Sequence, residues 1–232
     1  MTTLNLLCAG AAQGLVKALQ ASFLAATGAD VATRFGAVGA LQEALLAGEP
    51  CDVMVVTAAM VEALTADGRL RPGSSAALGR VRTGIAVRSG QPRPDVATPE
   101  ALKAALLQAG GIYFPDPLRA TAGIHFANVM RQLGIHDELQ ARFRTYPNGA
   151  TAMRELAATQ AAHLIGCTQV TEINDTAGVD LVAALPSRFE LATVYSAAMS
   201  QTSAQPELAA RFIALLTGAE ALALRTAGGF QA

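Results

Sequence analysis

Short apolar runs alternate along the chain with segments whose apolar residues recur at helical spacing. Leu4–Cys8 reads as a first buried strand, and Leu15, Val16, Leu19 and Phe23 then fall on one helical face that Gly28 ends. Val31–Phe35 predicts a second strand. Gly36–Gly39 is a tight turn into a helix carrying Leu41, Leu45 and Leu46. Asp52–Val56 is a third strand, followed by a short helix over Met60–Thr65. After a turn-rich stretch, Val81–Arg88 reads as a strand. Thr98 caps a helix with Pro99 in its first turn, where a missing N–H costs nothing. Ile112–Phe114, Phe143–Tyr146, His163–Ile165, Val179–Leu185 and Leu191–Met199 complete the strands. Helices are expected around Phe126–Leu133 and Met153–Leu156, as a single turn at Gln169–Ile173, from Pro206 and near Gly218.

Strands separated by helices predict βαβ units and parallel sheets, so the fold class is α/β. Two Rossmann-like lobes are expected: one of residues 1–82 plus 193–232, the other of 83–192, with the chain crossing twice between them. Open α/β sheets bind ligands at the carboxyl ends of their strands, so a ligand cleft is expected where the two lobes face each other.

Composition narrows the class. The 232 residues are 52% hydrophobic and only 15% charged, which excludes a disordered or coiled-coil chain. A net charge of −1 leaves no basic excess for nucleic acid. No apolar stretch is long enough to span a membrane, so no membrane insertion is expected. The N-terminus carries neither a basic leader region nor a signal-length apolar run. As written, the chain reads as cytoplasmic, or as periplasmic if a leader has been removed. Cys8, Cys51 and Cys167 share no CxxC spacing and read as small buried hydrophobes.

Four loops follow strands and open helices: Ala9–Gln13, Gly36–Gly39, Pro115–Gly123 and Tyr146–Ala150. Each presents N–H groups at a helix start, a setting that suits an anion. The candidate ligand-binding residues are Gly10, Ala11, Ala12, Val38, Gly39, Thr57, Thr121, Gly123, Asn148 and Gln169. Arg34 and Arg119 are candidate counter-ions able to fork a carboxylate. His125, expected in the first turn of its helix, is a candidate neutral base for proton abstraction, with Tyr146 and Thr168 behind it. No pattern of metal ligands, no P-loop, no GxSxG and no dinucleotide fingerprint is present, so no metal and no cofactor are expected.

Taken in order, these segments resemble the molybdate-binding-protein-like family of extracellular solute-binding proteins, with the two-lobed type II periplasmic binding fold. Leu4–Val16 looks like that family's first strand and ligand turn. Phe35-Gly-Ala-Val-Gly-Ala-Leu41, Pro50-Cys-Asp-Val-Met-Val-Val56, Asp116-Pro117 and Pro206–Leu216 follow its pattern. The resemblance implies a solute-binding protein that delivers a small anion to a membrane permease of an ABC transporter. Family members that bind molybdate use hydroxyls in the first two turns, where this chain has Ala11 and Val38. That departure disfavours molybdate and points to an organic carboxylate. Gly123-Ile-His-Phe126, Ile165–Ile173 and Thr193–Ala198 resemble a divergent branch that aconitate isomerase also resembles. The branch implies an alternative activity: a cofactor-free isomerase of an unsaturated carboxylic acid, working by an allylic proton shift.

Overall fold

The computed structural model describes residues 2–232; Met1, the first residue of the stretch read above for a leader, lies outside the described residues. In chain order the elements are β1 (Thr3–Ala9), α1 (Gln13–Thr27), β2 (Asp30–Gly36), α2 (Val38–Leu46), β3 (Val53–Thr57), α3 (Ala58–Ala66) and β4 (Ala76–Arg88). There follow α4 (Pro99–Gln108), β5 (Gly111–Pro115), α5 (Thr121–Gln132), α6 (His136–Leu139), β6 (Phe143–Tyr146), α7 (Gly149–Ala158) and β7 (Leu164–Gln169). The chain closes with α8 (Val170–Asn174), β8 (Val179–Ala184), β9 (Ala192–Met199), α9 (Pro206–Thr217) and α10 (Leu222–Gly228). β4 begins five residues before the expected Val81, because the turn-rich stretch ends sooner than its composition suggests.

The chain divides into two compact units, Met1–Val81 with Thr193–Ala232, and Arg82–Ala192. In the first, β1 lies between β2 and β3 in parallel register, and β3 pairs antiparallel with β9. Its central strands are buried on both faces: Leu4, Leu6 and Leu7 of β1 and all of Val53–Val56 are almost wholly enclosed. That explains their continuous apolar reading in place of an alternating one. Asp52 is the exception, buried at 2% exposure. Its carboxylate accepts from the backbone N–H of Asn5 (2.8 Å), the Ser203 hydroxyl (2.8 Å) and the Gln205 N–H (3.2 Å). One side chain thus ties β1 to the start of α9.

In the second unit, β5 pairs in parallel with β6 and β7, and β7 pairs antiparallel with β4, which also takes β8. The sheet has an apolar core on each face. Ile85, Ile165 and Cys167 pack with Phe114, Phe126 and Met130 on the side of α5. Ala86 and Leu164 pack with Met153 and Leu156 on the side of α7. All three cysteines are buried, unbridged thiols, and burial pushes that of Cys51 up to about 12. They are inert packing groups at neutral pH.

Candidate functional site

Parallel strands deliver the next helix to their carboxyl ends, so those ends are where helix N-termini and their unpaired N–H groups gather. The four anticipated loops occupy such positions, but they are not alike. Gly10–Ala12 form one buried 3-10 turn ahead of α1, and no side chain caps it. Val38 and Gly39 open α2 after Ala37, again with no side-chain cap. α5 opens after Ala120, likewise uncapped by any side chain. These are three helix starts whose leading N–H groups have no place in the helical ladder.

The fourth loop is filled from within. Asn148 caps α7, its Oδ1 accepting from the Thr151 N–H at 2.8 Å, and its carbonyl accepts from Ala152. Glu172, at 5% exposure, accepts from the Ala150 N–H (3.2 Å) and, in a very short bond, from the Thr168 hydroxyl. The N–H groups of Gly149 and Gln169 also favour its charged form. Desolvation outweighs these bonds and holds the Glu172 carboxyl above the ordinary glutamate range. A Cβ on residue 149 would collide with both the Thr168 hydroxyl and the Glu172 carboxylate, so only glycine admits this contact. The sequence alone predicts Tyr146–Ala150 to be an anion-binding loop. Its donors are instead taken by the carboxyl group of a side chain of the same protein. Glu172 lies 22 residues further on, beyond the reach of any local pattern.

The carboxyl end of β5 is built differently. Asp116 Oδ1 accepts from Leu118 (2.7 Å) and Arg119 (3.3 Å), and its carbonyl accepts from Ala120 (3.1 Å). This closes a rigid turn with Arg119 exposed on it. Gly123 lies directly on the carbonyls of Pro115 and Asp116, where a Cβ has no room. The first turn of α5, with Thr121 half-buried, is thereby pressed against the strand end.

Other anticipated residues have definite local partners. Arg34 sits exposed on β2 in a very short ion pair with Glu49. Thr57 caps α3, accepting from the Met60 N–H at 3.3 Å. His125 is the fifth residue of α5, past the first turn in which the sequence put it. Its Nε2 lies 2.7 Å from the carbonyl of Phe189. A carbonyl only accepts, so this nitrogen carries the proton and donates it. Tyr146 stacks on Tyr113 with ring centroids 6.0 Å apart, and burial above all raises its phenol, which keeps it more firmly protonated. Thr168 donates to Glu172. The three candidate catalytic groups therefore do not converge: His125 bonds to Phe189 on the α5 side, while Thr168 and Tyr146 belong to the α7 side.

Gln169 stands apart. It is 2% exposed, and among the described residues neither its amide nitrogen nor its amide oxygen has a hydrogen-bond partner. Thr83, which sequence reading passed over, is 1% exposed with an equally unpartnered hydroxyl, and it is the residue paired with Gln169 across the β4–β7 ladder. Nothing in the sequence around Thr83 marks it; only the pairing of strands 86 positions apart does.

Comparison with known proteins gives this geometry a family. Residues 4–231 match the family model described as bacterial extracellular solute-binding protein. The fold is shared with the periplasmic molybdate-binding protein of Azotobacter vinelandii, at 22% identity, TM-score 0.80 and 99% coverage of both chains. It is shared also with the sulfate-binding protein of Mycobacterium tuberculosis, at 16% identity, TM-score 0.72, and 99% and 86% coverage. A curated relative, aconitate isomerase from a Pseudomonas species, is 27% identical over 228 residues, covering 95% of this chain and 84% of that one. Two α/β lobes joined by two crossing strands make this the periplasmic-binding type of fold, and the chain belongs to the bacterial extracellular solute-binding protein family.

Proposed function

We propose that this protein binds a small organic carboxylate and hands it to a membrane permease, as the solute-binding component of an ABC-type transporter. The carrying observation is the contrast among the four helix starts. Three are left without a side-chain cap, whereas the one at α7 is occupied by the Glu172 carboxylate. The candidate donors to a ligand carboxylate are the main-chain N–H groups of Gly10–Ala12, of Val38 and Gly39, and of Thr121 and Gly123. Arg119 serves as the exposed counter-ion. Molybdate is disfavoured because Ala11 and Val38 offer no hydroxyl, and each missing charge-assisted bond costs about 1.5–3 kcal/mol.

The test is a thermal-shift series with molybdate, tungstate, sulfate, phosphate and small mono-, di- and tricarboxylates. A carboxylate at about 100 times its Kd adds ~2.7 kcal/mol of stability. A response to the inorganic oxyanions alone overturns the carboxylate reading and leaves a solute-binding protein of another specificity.

The relative named aconitate isomerase favours a second reading: a cofactor-free isomerase of an unsaturated carboxylic acid. On this reading the same N–H donors stabilise a developing enolate-like charge. Proton-exchange NMR of cis-aconitate with the protein decides it, and absence of exchange removes it.

A further inference from the structure

In the second unit, Gln169 and Thr83 lie at the same end and on the same face of the sheet as the first turn of α5. Side chains alternate along a strand. Ile85 of β4 and Ile165 and Cys167 of β7 pack towards α5, so Thr83 and Gln169, two residues away from Ile85 and Cys167, share that side. β5 and β7 run parallel, and α5 is pressed by Gly123 onto the carbonyl groups that end β5. Gln169 is the last residue of β7. An uncapped helix start and three unpartnered polar atoms are thus gathered at one strand end.

Buried polar groups are almost always paired, because an unpaired one keeps its full desolvation penalty. The chemistry of these atoms selects their partner. A helix start and a threonine hydroxyl are satisfied by any acceptor. The amide oxygen of Gln169 is not, since it requires a donor. Sulfate, molybdate and a plain carboxylate are acceptors only at neutral pH and leave that oxygen orphaned. A hydroxycarboxylate offers an acceptor and a donor side by side: a carboxylate oxygen for the Gln169 amide N–H, and the adjacent hydroxyl to donate to its amide oxygen. We infer that Gln169 and Thr83 form a specificity subsite for the hydroxyl-bearing end of a hydroxycarboxylate ligand. This inference rests on the carboxylate reading proposed above and narrows it.

Isothermal titration of the full chain with malate against succinate, and with citrate against tricarballylate, tests it. The hydroxylated member of at least one pair binds at least about tenfold tighter to the native protein. Gln169→Leu and Thr83→Val, both near-isosteric and both removing an orphaned polar group, keep the fold. Each reduces that ratio below about threefold, because the hydroxylated acid loses its hydroxyl contact in addition to the acceptor contact that both acids give up. Measurable succinate or tricarballylate binding with ratios near one overturns the subsite and leaves the carboxylate reading standing. A ratio unchanged in both variants overturns the assignment to these two residues. No binding of any carboxylate overturns both.

Discussion

Glu172 rests on the backbone of Gly149 so closely that no other residue fits at 149, and its carboxylate fills the helix start of α7. The relationship turns a potential ligand loop into a structural joint between α7 and α8. It also separates the loops of this unit into one that is internally satisfied and one that is open.

The joint makes stability depend on pH in a defined direction. Burial raises the Glu172 carboxyl above its unfolded value of about 4.3. The folded state therefore binds more protons than the unfolded state just above that value, and stability falls as pH rises through the window up to the folded pKa. Urea midpoints of the native protein should decline across this window. Glu172→Gln, which cannot ionise, should flatten the decline. An identical slope in both proteins would locate the proton elsewhere.

Gly123→Ala places a methyl group into the carbonyls of Pro115 and Asp116. The first turn of α5 must move, at a cost of about 1–3 kcal/mol for an overpacked site. A lowered melting temperature together with weakened ligand binding is the expected pair of results. Calorimetry and titration on the same sample check it, and an unchanged melting temperature would contradict the close approach.

Asp52 is buried and its carboxylate accepts from four donors on segments remote in sequence, two of them on Asn5. Asp52→Ala leaves those donors unpaired and should lower stability by about 3 kcal/mol, the upper range for bonds to a charged group. Asp52→Asn, which keeps one acceptor oxygen, should lose less. Denaturant unfolding of the two variants measures the difference.

His125→Leu tests the role its geometry gives it. With Nε2 donating to Phe189 O, the substitution should cost about 1 kcal/mol of stability and leave carboxylate affinity unchanged. A variant that binds ligand but loses an isomerisation measurable in the native protein would return His125 to the chemistry.

Arg34→Gln breaks an exposed pair with Glu49, a contact of the kind worth at most about 1 kcal/mol. Ligand affinity should be unchanged within threefold, in contrast to Arg119→Ala, expected to lower carboxylate affinity by more than about 1.5 kcal/mol. A tenfold loss on changing Arg34 would make it a ligand contact.

Much of this protein is local and was therefore visible in the chain. Continuous apolar runs such as Val53–Val56 announce strands buried on both faces. Thr98-Pro99 and Asn148 announce helix starts because capping is settled within three or four residues. The Ala9–Gln13, Gly36–Gly39 and Pro115–Gly123 loops were legible for the same reason. What the sequence could not decide is which helix start is open, which charges are already matched and which polar side chains are stranded. Glu172 reaching α7, Arg34 meeting Glu49, His125 meeting Phe189 and Thr83 lying opposite Gln169 all join residues 15 to 86 positions apart. Such partners are fixed by strand pairing and helix packing, which bring distant groups within hydrogen-bond reach. Tertiary structure alone therefore separated the candidates with partners of their own from Gln169, whose amide has none among the described residues.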